Sequence, residues 1–320
     1  MGWPCCPQEL RDIESQFFTW NGARGTRHGF HWKSLRAAIA FAVMGAPVFE
    51  MENVTVQRGG RKILSDIFLR VERDQHWVIV GGNGSGKTSL LNVLMGYLTP
   101  TEGEVHMRGR EDAVNSKSQS WDDWRKRIGF VSSSISELIE PGETALDIIM
   151  AGRHAMVNYW QKTDDPKVIK AAEKVLERVD CTYLRDQPWA QFSQGERQRL
   201  LIGRALMAPR MDVLILDEPC AGLDPVAREH FLQFVQELTE KGSFRSLLMV
   251  THHVEEIIPA ITHALVLKEG AVVSQGEKRR ALNSLSLSRA FDSDLRLRSR
   301  LGRYRLYYDD EFIPEGGQVV

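Results

Sequence analysis

The sequence predicts an α/β fold, and three observations carry that prediction. Short, largely apolar runs at Trp77 to Val80 (WVIV), Asp212 to Leu216 (DVLIL) and Ser246 to Val250 (SLLMV) read as strands buried on both faces. The first of them runs straight into Gly81-Gly82-Asn83-Gly84-Ser85-Gly86-Lys87-Thr88, and helical spacing follows from Ser89 to Met95. Between the strands, Val168 to Val179 (VIKAAEKVLERV) places apolar residues at i, i+3 and i+4, the pattern of an amphipathic helix.

The elements follow in chain order. Residues 1–46 hold Trp3, Trp20 and Trp32 and show no clean periodicity before Leu35. They read as an N-terminal extension, either disordered or an artefact of the start site, since Met44 lies just before the pattern sharpens. Val48 to Val56 (VFEMENVTV) alternates like a half-buried strand, Gly59-Gly60 reads as a hairpin turn, and Ile63 to Val71 as the returning strand. Ala145 to Met150 repeats the helical spacing, and Ser193 with Glu196 three residues on forms a capping box opening a helix to Met207.

Composition narrows the class. The 320 residues hold 41 Lys+Arg against 42 Asp+Glu, a net charge of -1, with 42% hydrophobic residues, which excludes a disordered or collagen-like chain. The balance also excludes a generally basic nucleic-acid binder. Cys5, Cys6, Cys181 and Cys220 show no metal-ligand spacing and read as reduced thiols. The longest apolar run, Ala37 to Ala46, is half of the ~20 residues a membrane-spanning helix needs. The Met-Gly start fails as a myristoylation signal because Cys6 stands where Ser or Thr is required.

The chemistry sits at strand ends. The run Gly81 to Thr88 matches G-x-x-x-x-G-K-[ST] in full, and strand, glycine loop and helix are the context a phosphate-binding loop requires. Glycines let backbone N–H groups converge on phosphate oxygens, and the helix N-terminus near Gly86 adds its positive dipole end. Lys87 reaches for β- and γ-phosphates and the Thr88 hydroxyl for Mg²⁺. Asp217-Glu218 close the second buried strand, where an acid holds Mg²⁺ and its neighbour polarises a water. Thr251-His252-His253 close the third, and His252 is placed for a γ-phosphate contact.

With Phe192-Ser193-Gln194-Gly195-Glu196 lying before Asp217, the chain resembles the ATP-binding-cassette (ABC) ATPases over about Val48 to Gly276. Five motifs stand in the family's order: Gly81–Thr88, the signature Ser193–Glu196, Asp217-Glu218, Ala221-Gly222-Leu223-Asp224, and His252. The resemblance implies a P-loop NTPase fold, with a RecA-like core, an antiparallel β subdomain and an α-helical signature subdomain at about residues 134–207. The cassette then spans residues 47–276. The resemblance also implies ATP and Mg²⁺ as cofactors, with the ATP contacts made by Gly81 to Ser89, Arg58, Ser193, Gly195 and Asp224. Thr88 and Asp217 hold the metal; Glu218, His252, Lys87 and Asp217 carry the chemistry. Two copies stack head to tail, each nucleotide meeting the phosphate loop of one and the signature of the other.

The expected function is an ATP-hydrolysing transporter subunit, a homodimer on the cytoplasmic face of a membrane beside a separately encoded permease. The alternative is a stand-alone ABC ATPase in nucleic-acid-associated, ribosome-associated or regulatory work. Three departures bear on the choice. Ser133 stands where the family has a glutamine that touches Mg²⁺ and senses the permease. Arg58 replaces the aromatic that stacks on adenine, and a guanidinium can also stack there. Phe192 and Gln194 replace a leucine and a glycine of the signature. The tail, residues 277–320, is the other distinct region. Between Lys278 and Arg305 nine Lys or Arg face only Asp292 and Asp294, a net +7, with alternation around Gly302 that reads as a small hairpin. Its arginine face is either a solvated edge protected by charge or a contact for RNA, DNA or an anionic membrane.

Overall fold

The computed structural model describes residues 47–107, 120–159, 163–209 and 211–308. The expectations for residues 1–46, Cys5 and Cys6 included, and for the tail beyond Tyr308 lie outside these residues. The described chain begins with an antiparallel hairpin of β1 (Phe49–Arg58) and β2 (Arg61–Val71), in which Arg58 faces Arg61. Gly59 and Gly60 both take positive φ, the conformation that a two-residue hairpin turn of this twist requires. Next come β3 (Trp77–Val80), the glycine loop and α1 (Lys87–Leu94). β4 (Glu102–Met107) returns to pair with β1, completing a three-stranded sheet in the order β2-β1-β4.

α2 (Trp121–Arg125) and β5 (Ile128–Val131) lead into a helical stretch. It consists of α3 (Ser133–Leu138), α4 (Ala145–Ala151), α5 (Pro166–Arg178) and α6 (Gln194–Leu206). α5 starts on the Asp165 cap with proline in its first turn and ends one residue before Val179; Val168, Ala172, Val175 and Leu176 form its buried stripe. The chain continues through β6 (Val213–Asp217), α7 (Pro225–Glu240), β7 (Ser246–Thr251), β8 (His263–Lys268) and β9 (Ala271–Glu277). It closes with α8 (Lys278–Ala281), α9 (Ser284–Phe291) and an antiparallel hairpin, β10 (Leu295–Arg300) with β11 (Arg303–Tyr308).

The central sheet has the order β5-β6-β7-β3-β8-β9, parallel through β8 and antiparallel at β9. Its apolar strands are explained by what covers them. Trp77 and Ile79 of β3 join Val213, Ile215, Leu248 and Val250 in a core shared with the β1–β2 hairpin and Leu90, Leu91, Val93 and Leu94 of α1. Val78, Val80, Leu214, Leu216, Leu247 and Met249 point the other way, into a core built with α4 to α7. Successive side chains alternate between faces, so a strand covered on both sides must be apolar throughout.

His76 ties three strands together just ahead of β3. Its Nδ1 accepts from the Leu247 N–H at 3.2 Å, and its carbonyl accepts from the N–H groups of Thr262 and His263. Burial lowers its pKa below the ordinary histidine value, against a smaller opposing pull from Asp74. The native state therefore favours neutral His76. The stability it contributes is complete above the unfolded value of about pH 6.5 and is lost as the pH falls from there through the lower folded value, because the unfolded chain then binds the proton more readily. A His76→Asn variant should show a smaller fall in melting temperature between about pH 7 and about pH 5 than the parent, measured by calorimetry. An unchanged pH dependence would contradict this account.

Candidate functional site

Three neighbouring parallel strands, β6, β7 and β3, end at one edge of the sheet. Register sets Asp217 beside Val250, and Val80 beside Thr251. The glycine loop, the acid pair and Thr251-His252 therefore converge at the carboxyl ends of the strands, the usual ligand crevice of such sheets.

The loop is shaped by sterics. Gly84 and Gly86 take φ of 75° and 102°. Gly81 needs no unusual φ, but a Cβ there would collide with the Leu267 carbonyl and the Ser85 hydroxyl. Lys87, largely buried at the start of α1, donates from Nζ to the carbonyls of Gly81 at 2.8 Å and Gly82 at 3.0 Å. Burial lowers its pKa, and the charges of Glu218 and Asp217 act in the opposite direction. Asp217 is its complement: burial, then repulsion from Glu218, push its pKa up to about 6, with Lys87 pulling it down. Two carboxylates beside one ammonium form a site that gains from a further cation.

Glu218 is held by strained backbone. Its φ is 47°, rare for a side chain of this size, while its N–H donates to the Val250 carbonyl at 2.9 Å and its carbonyl accepts from Ala221. The sharp turn aims its carboxylate at His252, whose Nδ1 lies 3.1 Å from Glu218 Oε1. Behind the pair is a cavity of about 190 Å³, lined in part by Cys220, Arg228, Thr251 and Glu256.

Glu256, absent from the sequence expectations, and Thr251, expected only as the strand end, set the geometry of this corner. Glu256 is 3% exposed, and the Thr251 hydroxyl donates to its Oε2 at 2.6 Å. Thr251 Oγ1 also accepts from the His253 N–H, which fixes the turn that carries His252. The adjacent pair Glu255-Glu256, set between Val254 and Ile257-Ile258, was the one available sequence signal. Glu256→Ala should orphan the Thr251 hydroxyl and release the turn. We expect a several-fold lower kcat for ATP hydrolysis with nucleotide affinity kept, measured by steady-state kinetics beside direct binding. An equal loss of both would assign Glu256 a purely structural role.

The signature stands apart from the loop in the same chain. Ser193 caps α6, accepting from the Glu196 N–H at 3.4 Å while Glu196 Oε2 accepts from the Ser193 N–H at 2.8 Å. Tyr183 donates to the other Glu196 oxygen. A Cβ on Gly195 would touch only Leu223, so the first turn of α6 is open. Among the described residues no hydrogen bond or ion pair joins Ser193–Glu196 to Gly81–Ser89. Asp224 has a local duty as the cap of α7, accepting from Val226 and Ala227 at 2.8 and 2.9 Å. Arg58 is exposed at the end of β1, and Ser133 is exposed at the start of α3 beside the Ser132 cap.

The ABC transporter family matches residues 64–221. The chain is 38% identical over 248 residues to an uncharacterized ABC transporter ATP-binding protein, YlmA of Bacillus subtilis, covering 78% of this chain and 92% of that one. This chain belongs to the ABC transporter ATP-binding proteins. A putative ABC transporter ATP-binding protein of Streptococcus mutans is 33% identical, covering 78% of this cassette protein and 94% of the relative. Among solved structures, cbiO1 from Clostridium perfringens, part of the cbiONQ ABC transporter complex, aligns with a TM-score of 0.62 at 24% identity, over 73% of this chain and 89% of its own. An inward-facing putative metal-chelate type ABC transporter aligns at 0.65 and 21%, over 82% and 97%. At that identity these two speak for the fold: an ABC cassette with a P-loop NTPase core. Among the described residues no helix is long and apolar enough to cross a membrane.

Proposed function

We propose that the protein is the ATP-hydrolysing subunit of an ABC transporter, working as a head-to-tail dimer on the cytoplasmic side of a separately encoded permease. The observation that supports this most is that, among the described residues, no hydrogen bond or ion pair joins the phosphate loop to the helix N-terminus at Ser193 of the same chain. Gly81–Ser89 offers a lysine, backbone N–H groups and a helix N-terminus to a triphosphate. Ser193 and Gly195 offer a second helix N-terminus that meets phosphate only on another copy.

Within one site, Lys87 releases the Gly81 and Gly82 carbonyls to bind β- and γ-phosphate oxygens. The Ser85 hydroxyl is buried without a protein partner, as suits a group that meets a phosphate. The donors also suit Mg²⁺: the Thr88 hydroxyl and the Asp217 carboxylate are hard oxygens, and the phosphates and water supply the remainder. When bound, Mg²⁺ offsets the charge on the β- and γ-phosphates. Glu218, fixed by its backbone turn, orients and deprotonates the attacking water in line with the γ-phosphorus. His252 holds the γ-phosphate and the same water. Arg58 lies across the adenine face, and Asp224 at the end of α7 faces the partner copy.

A groove of about 450 Å³ supports permease docking. It runs between the β5 side of the sheet and the helical layer and is lined in part by Tyr97, Arg125, Phe130, Ile135, Val157 and Arg204. Exposed Ser133 lies at the start of the same segment, with a shorter reach than a glutamine. Affinity purification from cells in mild detergent tests the reading. Recovery of a multi-spanning protein that raises the ATPase rate is expected; a fully active protein with no membrane partner would overturn it.

A further inference from the structure

We propose that the outer face of the β10–β11 hairpin binds the phosphate backbone of single-stranded nucleic acid. The register sets Arg296 opposite Tyr307, Arg298 opposite Arg305 and Arg300 opposite Arg303. Opposed residues share a face, so one side of the hairpin carries five arginines and a tyrosine. The other side carries Leu295, Leu297, Tyr304 and Leu306. It is turned inward: Leu295 and Tyr304 are buried, and Leu297 and Leu306 pack against the core on the helical side of the sheet. Residues 295–308 contain no Asp or Glu.

Such a face is destabilising by itself. Two arginine pairs stand directly opposite each other, where like charges repel, and solubility alone is served as well by mixed signs. Arg303 is already engaged, donating from Nη2 to Glu229 Oε1 at 2.8 Å and to the Glu255 carbonyl at 2.9 Å. Arg298 lies over the Tyr307 ring, 5.3 Å from its centroid. None of Arg298, Arg300 and Arg305 pairs with a carboxylate among the described residues, and these three form the working set.

Geometry selects the ligand. From Arg296 to Arg300 the strand rises about 13 Å, so successive phosphates of an extended single strand pass along the face, and Arg298, Arg300 and Arg305 each offer a guanidinium fork suited to bidentate pairing. A lipid surface fits less well, because membrane association grows with the apolar area buried, and the hairpin's apolar side is already committed inward. Only Leu301 at the tip, 90% exposed, and Tyr308 remain for a bilayer. Tyr307 with the Arg298 guanidinium above it is a flat platform for an unpaired base, which a duplex does not offer. The proposal is independent of the transport reading and of the nucleotide site.

The test is fluorescence anisotropy of the full-length protein with a labelled oligouridylate RNA of about 15 nucleotides, titrated at salt from about 50 to about 200 mM. The variant Arg298→Gln/Arg300→Gln/Arg305→Gln should bind at least about tenfold more weakly and lower the salt slope by about 2, close to 0.7 for each lost phosphate contact. Its melting temperature should be no lower than the parent's, since like-charge pairs are relieved, and its ATP affinity should be unchanged. Equal RNA affinity of parent and variant would overturn the proposal. So would parental preference for a DNA duplex, or for phosphatidylserine vesicles, over the single strand. Binding that emerges only after removal of residues 309–320 would also overturn it, assigning the face to the chain's own acidic run Asp309-Asp310-Glu311.

Discussion

A Glu218→Gln protein should bind ATP with near-parental affinity, turn over about 10²- to 10⁴-fold more slowly, and accumulate as an ATP-bound dimer. Three features of the fold set that expectation. The positive φ of Glu218 and its backbone bonds to Val250 and Ala221 fix where its side chain leaves the chain. His252 meets it at 3.1 Å. Neither the loop geometry nor Lys87 depends on its charge for position, since Lys87 is held by two backbone carbonyls. The amide keeps the shape and hydrogen-bonding capacity but cannot take a proton. Removing one of two facing carboxylates also relieves the repulsion on Asp217, so nucleotide binding should not suffer. Single-turnover kinetics and size-exclusion chromatography in ATP read both consequences. A parental rate would remove Glu218 from the chemistry.

Lys87→Ala should fail at the earlier step. Without the ammonium, Asp217 and Glu218 face the incoming triphosphate uncompensated. Each charge-assisted bond to the phosphates is worth about 1.5–3 kcal/mol, so ATP should bind at least about tenfold, and up to about a hundredfold or more, less tightly. The two variants should thus separate, Lys87→Ala lowering affinity and Glu218→Gln lowering rate. Calorimetric titration of ATP into the Lys87→Ala protein measures the first effect, and unchanged affinity would contradict the assigned contact.

The parts of this architecture legible in the sequence are those set by local constraints. Trp77–Val80 must be apolar on both sides because two cores meet it, and the loop after it needs glycines because a Cβ at Gly81 would collide and Gly84 and Gly86 take positive φ. The amphipathic stripe of α5 and the Ser193–Glu196 cap are equally local. What escaped depends on distant pairing. β4 shows only a weak alternation (EGEVHM), and it becomes a strand because β1 offers an open edge. β8 and β9 extend the sheet next to β3, which no periodicity within them announces.

The candidate site divides the same way. Its motif residues were read directly, whereas the strain at Glu218 and the Thr251–Glu256 bond exist only once β6 and β7 lie side by side. The clamp of Arg303 and the Leu306 N–H on Glu255, just beyond His252, brings together residues about fifty positions apart. Charge counting found the arginines of the tail. Only the register showed that they share a face.

We expect each ATP site to be built from the phosphate loop of one copy and the signature of another. Mixing two inactive proteins tests it most directly. A Lys87→Ala chain keeps a sound signature, and a Ser193→Arg chain keeps a sound phosphate loop. Paired head to tail, they restore one intact site and concentrate both defects in the other. The account predicts that ATPase activity absent from either protein alone appears in the mixture. A mixture as inactive as its separate components would contradict it and confine the site to a single chain.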